Sequence, residues 1–346
     1  MGITESENVD AGLAKPKRTL FRRAVRLFVR GMSRTLFVLL LLWCIGAIWY
    51  SHVGPEILRW FVMAVLALGF PFAWFRIRNK KQVVLCFYVT VAVIVALWQL
   101  KRPEADRDWV SDMARAPVVS LDGDSVSIKN VRRFRYRSTT DFDERWTDDV
   151  FDLQQLASVW LVVEPFSKFK GPGHTFVSFG FSDGRYISIS IELRRTAGES
   201  FHPVRGIYRE FELMYVIADE EDVIQLRTNH RKHKVYMYPL KTDLVHRRAL
   251  FTDMVQRAGK LSVEPEFYNT LVSSCATNLL SHANKLFNGP APVNLKVLLP
   301  AFIDDLTHEY ELMDTDLSFD QAKTQYRIDE KARSTNGLEF SKKIRQ

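Results

Sequence analysis

Cysteine is scarce in this chain, with 3 in 346 residues. A disulfide-stapled scaffold is thereby excluded. Cys44 and Cys86 fall in apolar runs, where each reads as a small hydrophobe. Cys275 alone lies outside those runs, so it has no disulfide partner within its own domain. Such a thiol is either reactive or an accident. A glycine-rich phosphate loop, an internal repeat and a low-complexity tract are all missing, which excludes the usual nucleotide-binding motif and a solenoid. Histidine numbers 8, and only His230 and His233 in NHRKH have ligand-like spacing. Without a third ligand this HxxH reads as a solvated loop, so neither a metal nor any other cofactor is expected. His202, His246, His282 and His308 are isolated, and surface or core placement is their default. His282 follows Cys275 by two helical turns, which makes it a poor base for that thiol.

A basic excess is also missing where it would matter. Net charge is +8, but residues 1–100 hold 13 Lys and Arg against 4 Asp and Glu. The remaining chain holds 35 against 36, so nucleic-acid binding is not expected. The basicity instead belongs to a hydrophobic N-terminal third, where it sets membrane topology.

Three apolar segments are present: Thr35 to Tyr50, Ile57 to Phe75 and Val83 to Leu100. Each is about long enough to cross a bilayer, the first only barely. Arg59 can snorkel from near the end of the second. A cleaved signal peptide is the rival for the first. Against it stand the long basic lead and the lack of a small-residue cleavage site. Trp43 before Cys44 argues against a lipoprotein signal. The lead itself, with Leu20, Phe21, Ala24, Val25, Leu27 and Phe28 among arginines, reads as an amphipathic helix on an anionic membrane surface. MGITES matches an N-myristoylation pattern too short to exceed chance. Lys and Arg number 8 in the first 34 residues, none in SHVGPE and 4 in RIRNKK. The positive-inside rule then puts the N-terminus in the cytoplasm and everything after Leu100 outside it.

Residues 101–117 read as a linker, and β signals start at Val118. The informative stretch is Gly171 to Glu192. Val177, Phe179 and Phe181 alternate on one side of SDG, and Ile187, Ile189 and Ile191 on the other. For both sets to share a buried face, paired numbers must sum to an even value. A loop of Ser182, Asp183 and Gly184 achieves this, with Gly184 left-handed. His174 then faces Glu192 on the opposite, polar face, where Ser188 and Ser190 read as lining. A His–carboxylate pair can orient a catalytic base or can be a structural cross-strand pair. Further on, Asp219 reads as a helix start, Leu244 to Lys260 has helical spacing, and the tail from Pro300 is mostly helical. SSCATNLL carries a serine cap before an apolar stripe, so Cys275 falls at a helix N-terminus, where free N–H groups favour the thiolate. Sequence distance forbids judging whether His174 and Cys275 meet.

Several runs carry a resemblance: NVRRFRYRSTTDFDERW, HTFVSFGFSDGRYISISIELRR, RGIYREFELMYVIADEEDVIQLRTN, VYMYPL, FYNTLVSSCATNLL and DTDLSFDQAKTQYRIDEKAR. Together they resemble the bacterial Lnb N-terminal periplasmic domain family over about residues 105–346. That family is named for an enzyme that makes lyso-form lipoproteins by moving an acyl chain onto the amine of the lipid-modified cysteine. It is similar to permuted papain-like (NlpC/P60-like) folds, in which histidine precedes cysteine. The resemblance implies that His174 and Cys275 match the family's histidine and cysteine. Ser274 and Ala276 depart from the Asn and Thr that often flank that cysteine.

The expected architecture is α+β. It comprises a basic cytoplasmic segment (1–34), three transmembrane helices (35–100), a linker (101–117) and a permuted papain-like periplasmic domain (118–346). The expected placement is the bacterial inner membrane. The expected function is a cysteine-dependent acyltransferase using Cys275, His174 and Glu192. Its expected partners are lipoprotein or phospholipid acyl chains. The alternatives are a papain-like peptidase or amidase on cell-wall peptides, and a non-catalytic binding module. Oligomeric state and acyl acceptor are not legible.

Overall fold

A computed structural model of the chain describes residues 16–286, 295–337 and 339–346. The MGITES match lies outside them. The chain divides into two compact units, Met1–Lys101 and Arg102–Gln346.

The first unit holds α1 (Pro16–Trp49), α2 (Glu56–Arg76) and α3 (Lys80–Leu100). All three are long and apolar enough to cross a membrane. The basic lead and the first apolar segment form one uninterrupted helix, because no proline or glycine pair breaks it near Arg34. At 1.5 Å per residue its 34 residues reach about 50 Å, well beyond an apolar bilayer core. Phe87 is the wedge of this unit, with Phe37 and Phe70 rings at 4.1 and 5.1 Å and Cys44 buried beside it. Arg59, near the start of α2, reaches along its helix toward the loop. It turns back to donate to the Trp49 carbonyl at 3.1 Å, closing the loop between α1 and α2.

The second unit is built on a sheet. Its strands are β1 (Val118–Asp122), β2 (Ser125–Arg132), β3 (Arg135–Tyr136), β4 (Phe142–Asp143), β5 (Trp146–Asp152), β6 (Leu156–Pro165), β7 (Gly173–Phe181), β8 (Tyr186–Arg194), β9 (Glu212–Ala218) and β10 (Tyr236–Pro239). The order is β1-β2-β9-β8-β7-β6-β10, with β5 also on β2 and β3–β4 a separate pair. All pairings are antiparallel except β2 with β9. The helices are α4 (Pro203–Ile207), α5 (Glu220–Gln225), α6 (Leu244–Val263), α7 (Cys275–Leu286), α8 (Ile303–Glu309), α9 (Phe319–Gln325), α10 (Asp329–Arg333) and α11 (Phe340–Lys343). Asp219 caps α5 by accepting from the Asp222 amide, as its position predicts.

Both faces of the central hairpin are buried, which the alternation alone does not reveal. On the odd-numbered face, Val177, Phe179, Ile187 and Ile189 pack against Phe251, Met254 and Val255 of α6. The polar, serine-bearing face is covered as well. There Phe176 and Val216 share a cluster with Ile224 of α5, Ile328, Ala332 of α10 and Phe340 of α11. Ser178, Ser188 and Ser190 are fully buried under it. Their small side chains let the cover approach, and Ser178 donates to the buried Glu220.

The stretch read as a linker is laid along this unit. Trp109 bridges to Thr196, Met113 is buried, and the Asp112 carbonyl accepts from Arg132 at 2.8 Å.

Candidate active site

The hairpin of β7 and β8 has the register its alternation demands. Phe179 faces Ile187, Val177 faces Ile189 and Phe176 faces Ser190. Gly184 closes the turn at φ +86°, a conformation that costs a glycine little. Gly173, at the start of β7, has a different task. A Cβ there would lie 3.0 Å from the Ala301 methyl and 3.1 Å from the Glu164 carbonyl, so glycine lets the strand end sit tight beside its neighbours. Carried past Phe176, the same register sets His174 across from Glu192, with Nε2 3.2 Å from Oε1. Ser190 lies between them: its hydroxyl accepts from His174 Nε2 at 2.7 Å and donates to Glu192 Oε1 at 2.7 Å.

Cys275 is the first residue of α7. The start is fixed by a reciprocal box, in which Thr277 N–H donates to Ser274 Oγ and Ser274 N–H donates to Thr277 Oγ1. The sulfur is hydrogen-bonded by the His174 side chain and by the Thr175 amide. The structure therefore brings His174, Glu192 and Cys275 into one cluster.

Electrostatics follow from that contact. Burial disfavours the Cys275 thiolate, but the facing imidazolium, its hydrogen bond and the Thr175 amide outweigh it and lower the thiol pKa. Burial likewise disfavours the His174 cation. Glu192 and then the Cys275 thiolate overcome this and raise its pKa to about 10. Both shifts favour the thiolate–imidazolium form, the nucleophilic state of a cysteine.

Sequence reasoning missed what stands behind Glu192. Arg227 is buried, in a π turn (Leu226–His230) that continues α5. Such irregular turns recur at functional sites. Its Nη2 donates to Glu192 at 2.9 Å and its Nε to Glu164 at 2.7 Å. Glu164, on β6 directly beside His174, is fully buried. Burial would raise its pKa, but Arg227 and then His233 hold the carboxyl down to about 2. The one signal for Glu164 was a carboxylate ending the apolar run VWLVVEP. Arg227 had none, because its partners lie 63 and 35 residues away.

His233 also departs from expectation. It is not in a solvated loop but half-buried in the cleft, with Nδ1 2.7 Å from Glu164 Oε1. His230 turns instead toward Tyr136, so the HxxH pair does not converge. Among the described residues, no group of three His, Cys, Asp or Glu is placed to hold a metal ion. His282 is a core residue, bonded to the Tyr215 hydroxyl at 2.7 Å and Asp253 at 2.6 Å.

His174 and Cys275 open into a cleft of about 540 Å³. Its walls include Met113, Phe166, Ile191, Leu193, Phe201 and Leu299. Tyr268 also lines it, and burial followed by the Cys275 charge raises its pKa, so its hydroxyl stays a neutral donor. Nothing in the sequence singled it out.

Glu192→Gln tests the orienting role. Without the carboxylate the imidazolium loses its main stabiliser, and with it the thiolate. Alkylation of Cys275 near neutral pH is expected to slow by about 10-fold, the effect of about one pKa unit on the thiolate fraction and less than in His174→Ala, because the imidazole remains. The melting temperature should move less than in a variant that removes Arg227. Unchanged alkylation would make the pair structural.

Residues 142–308 match the family described as the Lnb N-terminal periplasmic domain. No curated protein and no solved structure matches the chain. Three long apolar helices followed by a domain of this kind make the chain a membrane protein with a periplasmic domain. The matched stretch, residues 142–308, contains His174, Glu192, Arg227 and Cys275, so the whole cluster lies in the part of the chain that is similar to the Lnb N-terminal periplasmic domain family.

Proposed function

We propose that residues 118–346, with the docked stretch 101–117, act as a thiol acyltransferase on lipoprotein or phospholipid acyl chains. The observation that carries this reading is a cysteine at a helix N-terminus, hydrogen-bonded by a strand histidine, in a cleft walled largely by apolar side chains. Cys275 Sγ attacks the ester carbonyl of a lipid. N–H groups in the first turn of α7 lack intrahelical partners and suit the oxyanion that forms. The ester C–O bond breaks, and the His174 imidazolium gives its proton to the departing alkoxide. A thioester on Cys275 and a neutral His174 remain. An acceptor amine then attacks the thioester, His174 takes its proton, and the thiolate is restored as the amide leaves. Glu192 is a positioning residue in this scheme, and Ser190 and Arg227 support it.

The peptidase reading uses the same dyad. Two carboxylates in the cleft, Glu164 and Glu192, favour a polar ligand. Both are already engaged by Arg227, which leaves the apolar walls as the main binding surface. Mass spectrometry of the protein mixed with diacylated lipopeptide, then with muropeptide, separates the readings. An acyl adduct on Cys275 and a lyso-lipopeptide bearing an amide-linked chain are expected. Cleaved muropeptide beside untouched lipopeptide would favour the peptidase, and no change in either would leave a binding module.

For placement we propose the inner membrane, with a cytoplasmic N-terminus, on the 8, 0, 4 progression of Lys and Arg along successive loops. A reporter fused after Leu100 should be active only outside the cytoplasm. Cytoplasmic activity would overturn both the topology and any lipoprotein role.

A further inference from the structure

The cleft has an apolar rim. Phe166, Phe201, Leu298 and Leu299 line it and are nonetheless exposed. They come from three separate segments that meet there. The Phe166 and Phe201 rings are 6.5 Å apart, and Leu299 reaches to within 3.5 Å of a Cβ built on Gly171. A fourth segment joins where Thr270, another lining residue, donates to the Pro203 carbonyl at 2.7 Å. Phe169 and Val272 follow closely on lining residues and are more exposed than those four, at 69% and 77%. Elsewhere on this unit exposed apolar residues such as Val150 and Val245 stand singly on β5 and α6. Scattered single residues are ordinary, but a cluster around a cleft mouth marks a contact surface.

We propose that this rim is an interfacial docking surface that dips into the phospholipid surface and opens the cleft directly onto lipid. Three observations select a bilayer as the occupant. The chain leaves its last apolar helix at Leu100 and the domain begins at Arg102, so lipid is always within reach. Lys168 precedes Phe169 and suits an anionic headgroup layer above an apolar one, while Lys170 on the other side is paired with Asp305 at 2.6 Å. Arg195 and Arg231 continue the basic character into the cleft, where the acids Glu164 and Glu192 are already paired. Phe169 and Val272 act as wedges, and Lys168 sets their depth by spreading its stem along the interface. This inference rests on the reading of the cleft as an acyl-chain site. A chain drawn from a docked membrane passes from lipid to the Cys275 sulfur along apolar walls without crossing water.

The test uses the full chain freed of its own thiols by Cys44→Ala, Cys86→Ala and Cys275→Ser. Single cysteines from Phe169→Cys, Val272→Cys or, as control, Val150→Cys carry an environment-sensitive fluorophore. The protein is placed one copy per nanodisc, in phosphatidylcholine with phosphatidylglycerol and a nitroxide on the acyl chain. Fluorophores at 169 and 272 are expected to be quenched several-fold more than at 150, and less so without phosphatidylglycerol. Equal quenching at all three positions would overturn the proposal. So would shielding that appears only with two copies per disc, since that would make the rim a self-association face. These variants perform no turnover, so failed docking leaves the transfer chemistry standing, and a failed transfer assay leaves the docking standing.

Discussion

His174→Ala is expected to move the titration of Cys275 from the acid side of the ordinary thiol range to above it. In the native protein the imidazolium and the Thr175 amide overcome burial, and the thiol pKa is lowered. Without His174 burial becomes the dominant influence, and it favours the neutral thiol. A thiol with a pKa at or above about 8.5 is at most about 3% ionised at pH 7, so the variant should hold only that trace of thiolate at neutrality. Ultraviolet thiolate absorbance against pH reads this directly. Alkylation by an uncharged reagent should show the native profile as a rise below the ordinary thiol range, followed by a second inflection near pH 10. At that point His174 loses its proton. Cys275→Ala should abolish the absorbance change and the alkylation together. Coincident titrations of the native protein and His174→Ala, both near the ordinary thiol value, would remove the dyad.

Arg227→Met should be the most destabilising single change at the site. Arg227 is held between Glu164 and Glu192, and its third nitrogen donates to the Val223 carbonyl at 2.8 Å. Its guanidinium also lies 4.8 Å from the Phe176 ring centre. Removing it leaves Glu164 to His233 and Glu192 to His174, and breaking the buried Arg227–Glu164 pair costs up to about 3–5 kcal/mol. Thermal unfolding in detergent should show that loss. Glu164→Gln added to Arg227→Met should recover part of it, because the orphaned charge is gone. Simple additivity of the two losses would disprove the coupling. The pH dependence has a definite sign. The Glu164 carboxyl is lowered to about 2 in the folded protein, against about 4.3 in an unfolded chain. Its contribution to stability is therefore complete above about pH 4.3 and is lost as pH falls toward 2. Arg227→Met should flatten that acid limb.

The membrane part of the chain was legible because bilayer thickness imposes a length and an apolarity that few other structures require. The segments from Thr35, Ile57 and Val83 became α1, α2 and α3. The hairpin register was legible for a similar reason. A side-chain period of two and a three-residue turn leave one pairing that keeps Val177, Phe179, Ile187 and Ile189 together. Cys275 could be set at a helix start because capping is written in neighbours, here Ser274 and Thr277. The cover over the serine face was not legible because alternation records which residues are polar, not what lies above them. Ile328 and Phe340, which help cover it, follow Ser190 in sequence by well over a hundred residues.

The sequence by itself determined the three apolar helices, the charge asymmetry along their loops, the His174–Glu192 register and the helix-start position of Cys275. Each depends on interactions within a few residues or across one tight turn, where spacing fixes geometry. Only the tertiary structure decided that Cys275 meets His174, that Arg227 ties Glu192 to Glu164, and that His233 belongs to the cleft. Those contacts join residues separated by 35 to about 100 positions. Their existence depends on how β6, β7, the π turn and α7 pack around one end of the sheet. Packing is a property of all the covering side chains together, so no local pattern around Arg227 or Glu164 could have announced it.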